Sequence, residues 1–166
     1  MKGLKLVIAA IVVSLFSTTN VMASPVVRSE KNIVEIAASA GSFNTLVAAV
    51  KAADLVEALS GPGPLTVFAP TDAAFAKLPA GTVEFLLANV DQLTKVLTYH
   101  VVAGEKRPGQ LLKAGMVKTL EGSNVNVNAS YAASSMTLRI NDSLVVAKPI
   151  YASNGVIYVI DAVLIP

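Results

Sequence analysis

Leu65-Thr66-Val67-Phe68-Ala69-Pro70-Thr71-Asp72-Ala73-Ala74-Phe75 is the stretch on which the folding of this chain turns. Leu65 to Ala69 is apolar except for Thr66, the pattern of a short buried strand. At Pro70-Thr71-Asp72 the pattern changes. Thr71 or Asp72 can accept from the free N–H groups of a helical first turn, so a helix starts here. Phe75 and Leu78 face inward on it, and Pro79 stops it. Immediately upstream, Gly61-Pro62-Gly63-Pro64 is a turn, because proline lacks an N–H and glycine is costly in a helix.

Toward the N-terminus the periodicity is helical. Asn32 and Glu35 have the spacing of an N-cap and its reciprocal partner, followed by Ile33, Ile36 and Ala37 on one face. Ser42 is expected to cap a second helix with the stripe Phe43, Leu46, Val47 and Val50. Asp54 is expected to cap a third, carrying Leu55, Ala58 and Leu59. Toward the C-terminus, Thr82 is expected to cap a helix running to Asn89. Asp91 is expected to cap the next, with Leu93, Val96, Leu97 and His100 at helical spacing. A strand from Tyr99 to Ala103 competes for the end of that segment. Pro108 suits the first turn of a small helix ending near Gly115.

From Met116 the period becomes two. Asn124-Val125-Asn126-Val127-Asn128 and Met136-Thr137-Leu138-Arg139-Ile140 alternate strictly, as strands with one wet face do. Asn141-Asp142-Ser143 is a turn, and Leu144 to Ala147 a strand that ends before Pro149. Asn154-Gly155 predicts a type I′ hairpin turn, in which both central residues take positive φ. Val156 to Asp161 is nearly all apolar, a strand covered on both faces. Helices gather early and strands late, which argues for an α+β fold.

The chain has 166 residues, enough for one domain with a real core. Its 54% apolar content and mean hydropathy of +0.63 partly reflect the first two dozen residues. Lys2 and Lys5, the apolar run Leu6–Phe16 and Val21-Met22-Ala23 form the pattern of an export signal over residues 1–23, cleaved after Ala23. The run is too short to span a bilayer as a helix. Residues 24–31 read as a short mobile leader, and 32–166 as one domain. Losing Lys2 and Lys5 leaves eleven bases against eleven acids. No run of Lys and Arg interleaves with aromatics, so nucleic acid is not an expected partner. There is no cysteine, which excludes disulfides, thiolate chemistry and a lipidated N-terminal cysteine.

Three stretches, taken together, identify a family. They are Thr66–Phe75 extended by Lys77-Leu78-Pro79, then Leu97-Thr98-Tyr99-His100-Val101-Val102, then Ala152–Asp161 with Val163-Leu164-Ile165-Pro166. In order and spacing they resemble the first conserved box, the Tyr-His motif and the second conserved box of fasciclin (FAS1) domains, over about residues 31–166. The resemblance implies a β-sheet wedge or sandwich with several helices packed on it. It implies extracellular adhesion or matrix contact, with surface protein or carbohydrate as partner, and it brings no catalytic residues and no cofactor. Two positions depart from the pattern. Many members have His where this chain has Tyr158. Animal adhesion members carry an Asp-Ile pair where this chain has Pro149-Ile150, so the resemblance does not extend to integrin-type recognition.

Tyr99, His100 and Ile150 are the candidate binding residues. For His100, the sole histidine, a structural reading stands beside the functional one: it shares a helix face with Leu93, Val96 and Leu97, where an imidazole needs only hydrogen-bond partners. Thr66, Phe68, Pro70, Thr71, Asp72, Phe75, Asn154, Gly155 and Asp161 read as structural. In particular, Asp161 is expected to accept a bond from a backbone or Thr partner, since an unpaired buried carboxylate is costly. No residues are assigned to catalysis or to a metal: one histidine and no Gly-x-Ser-x-Gly elbow offer little to an enzyme. Asn128-Ala129-Ser130 and Asn141-Asp142-Ser143 match glycosylation sequons. The readings are an exported adhesion or binding module, an apolar carrier with a pocket between helices and sheet, and a hydrolase centred on His100. The first is favoured.

Overall fold

The computed structural model describes residues 28–132 and 135–166. The expected signal (1–23) and the start of the leader lie outside that range. Strand β1 (Leu65–Pro70) lies parallel to β8 (Gly155–Ile160), in register from Leu65 beside Gly155 to Pro70 beside Ile160. They form the middle of a sheet ordered β2-β1-β8-β7, with β2 (Val101–Ala103) and β7 (Ile150–Ala152) antiparallel at its edges. Parallel neighbours need a long crossover, and here it holds most of the protein. It includes helices α4 (Asp72–Ala76), α5 (Thr82–Ala88), α6 (Val90–Tyr99) and α7 (Pro108–Ala114). It also includes a second sheet ordered β3-β4-β5-β6, built from β3 (Met116–Lys118), β4 (Asn124–Ala132), β5 (Ser135–Ile140) and β6 (Ser143–Leu144). Ahead of β1 come α1 (Ile33–Ala40), α2 (Asn44–Ala52) and α3 (Val56–Ser60).

Period two along β1 and β8 explains the layers. Val67, Ala69, Ile157 and Val159 point to the helices and join Ile36, Leu46, Val50 and Leu97 in one core. Phe68, Val156, Tyr158 and Ile160 point the other way and join Val125, Val127, Leu138 and Ile140 of the second sheet in another. All six residues of β8 are buried, which is why its sequence shows no alternation. Single bridges between Val102 and Thr119, and between Val145 and Ile160, join the sheets at two points. The result is the expected α+β wedge, although β1 and β2 come from the helix-rich half.

Several local expectations hold. Asn32 and Glu35 form the reciprocal cap of α1, and Thr71 caps α4. Helix α6 ends at Tyr99 and β2 begins at Val101, with His100 between them. Other expected caps differ. Ser42 does not cap α2; the carboxylate of Asp72 does, accepting from the N–H groups of Asn44 (3.3 Å) and Thr45 (2.8 Å). A side chain from another helix displaces the local candidate because tertiary packing sets it over the free donors. Asp54 takes φ 55° in the link between α2 and α3, and α3 starts after Leu55. The residue before α5 is Gly81, and before α6 Asn89, so Thr82 and Asp91 fall inside their helices.

The strand expected over Leu144–Ala147 shrinks to β6 plus the Val145 bridge. The expected type I′ turn is absent. Ala152 pairs with Gly155, so the hairpin loop is Ser153-Asn154, and neither Asn154 nor Gly155 has positive φ. Gly155 is needed for a different reason: a Cβ there would collide with the Leu65 carbonyl of the adjacent strand. The end of the leader is tied down, with Ser29 N–H donating to Tyr151 O and Ser153 N–H to Lys31 O, both at 2.9 Å.

Candidate functional site

His100 stands at the junction of α6 and β2 and is 2% exposed. Its Nε2 accepts from the Leu164 N–H at 2.9 Å. A backbone N–H can only donate, so the proton sits on Nδ1, which donates to the Val96 carbonyl at 2.6 Å. Burial pushes its pKa down from 6.5 to about 4, with the Val96 carbonyl pulling weakly the other way. The imidazole is therefore neutral at pH 7 and has both nitrogens occupied by main chain. Among the described residues no Ser or Asp side chain bonds to it.

Tyr99 is also buried, but in the core between the sheets. Its hydroxyl accepts from Asn141 Nδ2 at 3.1 Å and donates to the Asn124 carbonyl at 3.4 Å. The Tyr-His pair thus faces two cores from one helix end and presents neither ring to solvent. Ile150 is half-buried on β7 and packs against the helix-side core.

Neighbouring motif residues close loops around this pair. The hydroxyl of Thr66 donates to Gly104 O (2.7 Å) and accepts from Lys106 N–H (2.8 Å). Tyr158 Oη donates to Lys106 O at 2.6 Å, and its ring lies 5.8 Å from that of Phe68. Burial raises the Tyr158 pKa, so this hydroxyl keeps its proton. Pro70 and Phe75 are buried at the β1–α4 corner. The Thr45 N–H, with further bonds from Thr45 and Asn44, holds Asp72 below the usual carboxylate range against the opposing effect of burial.

Asn154 Oδ1 accepts from Ile33 N–H at 3.0 Å, while its Nδ2 donates to Leu59 O (2.7 Å) and Gly61 O (3.0 Å). One amide so joins α1, α3 and the β7–β8 loop. Asp161 Oδ1 accepts from Leu144 N–H at 2.8 Å, and Lys77 Nζ lies 3.5 Å from Oδ2. Of the two sequons, Asn141 spends its amide on Tyr99 and Asn126 (2.8 Å), whereas Asn128 is exposed on β4.

The apolar space beside His100, lined by Ile33, Leu46, Val50, Leu97 and Ile157, holds about 30 Å³. Space on that scale suits ordered water rather than a lipid chain. Among the described residues, no three His, Cys, Asp or Glu side chains converge as metal ligands. No helix among them is long and apolar enough to cross a membrane.

The sequence matches the Fasciclin domain family over residues 41–166. Protein sll1483 of a Synechocystis strain is 51% identical over 140 residues, covering 83% of this chain and 75% of that protein. The cell surface glycolipoprotein MPB83 of Mycobacterium bovis is 39% identical over 113 residues, covering 68% of this chain and 48% of its own. Among solved structures, a FAS1 domain pair from the insect cell adhesion molecule fasciclin I superposes with a TM-score of 0.64. It does so at 14% identity, over 76% of this chain and 46% of that one.

Proposed function

Because this chain belongs to the fasciclin domain family, known in adhesion proteins, we propose that it is an exported, non-enzymatic binding module whose outer surface contacts cell-surface protein, matrix or polysaccharide. One observation carries the reading. The aromatic hydroxyls of Tyr99 and Tyr158, the amide of Asn154 and the imidazole of His100 are all turned inward and bonded to main chain, His100 foremost. A group held this way scaffolds a surface and has no free lone pair or proton to offer a substrate. The export pattern of residues 1–23 and the cell-surface relative from Mycobacterium bovis support an extracytoplasmic location.

A glycan array and a panel of matrix and surface proteins, probed with the purified protein, test this. Saturable binding to at least one macromolecule is expected. Binding to none, or a turnover lost in His100→Ala at unchanged melting temperature, would overturn it.

A further inference from the structure

Charge is unevenly divided in this fold. Residues 32–99, which carry α1 to α6, hold six acids and three bases, whereas residues 106–149 hold two acids and six bases. The bases are scattered in sequence, but the fold brings Lys106 and Lys118 to one groove beside α7 and Lys148 to another. The first groove, of about 380 Å³, runs between the edge strands β2 and β3 and is lined by Lys106, Lys118, Ala114 and Met116 among others. The second, of about 320 Å³, is lined by Pro108, Leu138, Val146, Lys148 and Pro149 among others. No acid lines either groove. Lys106 lines one and Pro108 the other; Arg107, between them in the chain, and Lys113, next to Ala114, are exposed.

The lysines of this set make no side-chain bond among the described residues, whereas Arg139 donates to the Asp142 carbonyl at 3.3 Å. Among the described residues the ion pairs are Arg28–Glu105 and Lys77–Asp161, and neither involves them. The first pair also neutralises Glu105, the acid nearest Lys106 in the chain. The backbone of Lys106 is fixed on both sides, by Thr66 at its N–H and by Tyr158 at its carbonyl. Two buried hydroxyls therefore hold in place a residue whose ammonium group bonds to nothing among the described residues.

We propose that the grooves around α7 form one binding track for an acidic polysaccharide, with Lys106 and Lys118 as its principal contacts to carboxylate or sulfate groups. This rests on the reading of the protein as a surface-binding module and names its ligand class. Concave grooves of this size suit a thin polymer strand better than a flat bilayer. Among the described residues neither groove is lined by an aromatic ring on which a neutral sugar could stack, so charge is the available handle. A second copy of this chain is a poor occupant. On its helical half Glu35 and Asp72 are consumed as caps, and the remaining acids are spread over several elements.

The test immobilises alginate, heparin, neutral dextran, double-stranded DNA and anionic phospholipid vesicles, and measures binding of the purified protein. Binding to alginate or heparin and not to dextran is expected. It should weaken about tenfold between roughly 50 and 200 mM salt, the effect of releasing counterions at two contacts. The double variant Lys106→Gln/Lys118→Gln should lose about tenfold in affinity and most of the salt dependence at unchanged melting temperature. Lys51→Gln/Lys95→Gln, on α2 and α6, should change neither. No binding to either acidic polysaccharide, stronger binding to DNA or vesicles, or full binding by the Lys106/Lys118 variant would each overturn the proposal. Failure here alongside a positive result with matrix protein or neutral glycan would leave the binding-module reading standing.

Discussion

Along the seam where β1 meets β8, polar side chains end on main chain: Thr66 on Gly104 and Lys106, Asn154 on Ile33, Leu59 and Gly61, His100 on Val96 and Leu164. Around α7 the opposite holds, and Lys106, Lys113, Lys118 and Lys148 make no side-chain bond among the described residues. The motif residues that mark the family thus build the wedge, and the lysines left without a side-chain bond among the described residues lie outside the motifs. Leaving a buried donor or acceptor unpaired costs about 1–3 kcal/mol, whereas moving a solvated lysine costs almost nothing. Constraint on a residue and availability for recognition therefore separate in space.

That contrast makes graded predictions. Gly155→Ala should be the most damaging, at about 4 kcal/mol or failure to fold, because its Cβ would strike the Leu65 carbonyl and the β1–β8 register would have to open. Urea unfolding measures this, and near-native stability would mean the strands are not so closely joined. Next is acid. The folded pKa of His100, about 4, lies below its ordinary 6.5, so the unfolded chain binds more protons between those values. Stability contributed by the neutral ring is full above pH 6.5 and is lost as pH falls toward 4, by about 3 kcal/mol in all. Unfolding curves across this window should show the slope in the native protein and a flatter one in His100→Ala.

At neutral pH, His100→Ala itself should cost about 2 kcal/mol by stranding the Leu164 N–H and Val96 carbonyl. Unchanged melting with lost binding would move His100 from scaffold to contact residue. Asp72→Ala should cost about 1 kcal/mol, the usual loss of a helix cap, but felt at α2 more than at α4. Amide exchange at Asn44 and Thr45 reads that directly, and protection lost at Ala74 instead would reassign the cap. Smallest is Lys106→Gln/Lys118→Gln, expected within about 0.5 kcal/mol of the native protein. A larger loss would show the grooves to be part of the scaffold after all.

Interactions within a few residues were legible from composition and spacing. The Asn32–Glu35 cap, the Thr71 cap and the alternation in β4 and β5 depend on geometry that the local backbone repeats wherever it occurs. The unbroken apolar run of β8 likewise announced burial on both faces. The three boxes in order were enough to identify the family and its α+β wedge. Three of the failures share one feature, a partner far away in the chain. Asp72 serves a helix that starts 28 residues earlier, Asn154 answers donors and acceptors up to 121 residues away, and Gly155 is required by Leu65 across the sheet. In each case the local motif was read as a turn or cap because nothing nearby displays the distant group.

The same distinction governs the surface. Amino-acid order alone settled what is apolar, which segments repeat at 3.6 or at 2, and that one histidine and no cysteine are present. Whether that histidine is exposed or a buried strut, and whether lysines as far apart as Lys106 and Lys118 line one groove, depended on which segments the fold brings together. Burial and charge density are properties of neighbours in space, and chain order specifies those neighbours only through the fold.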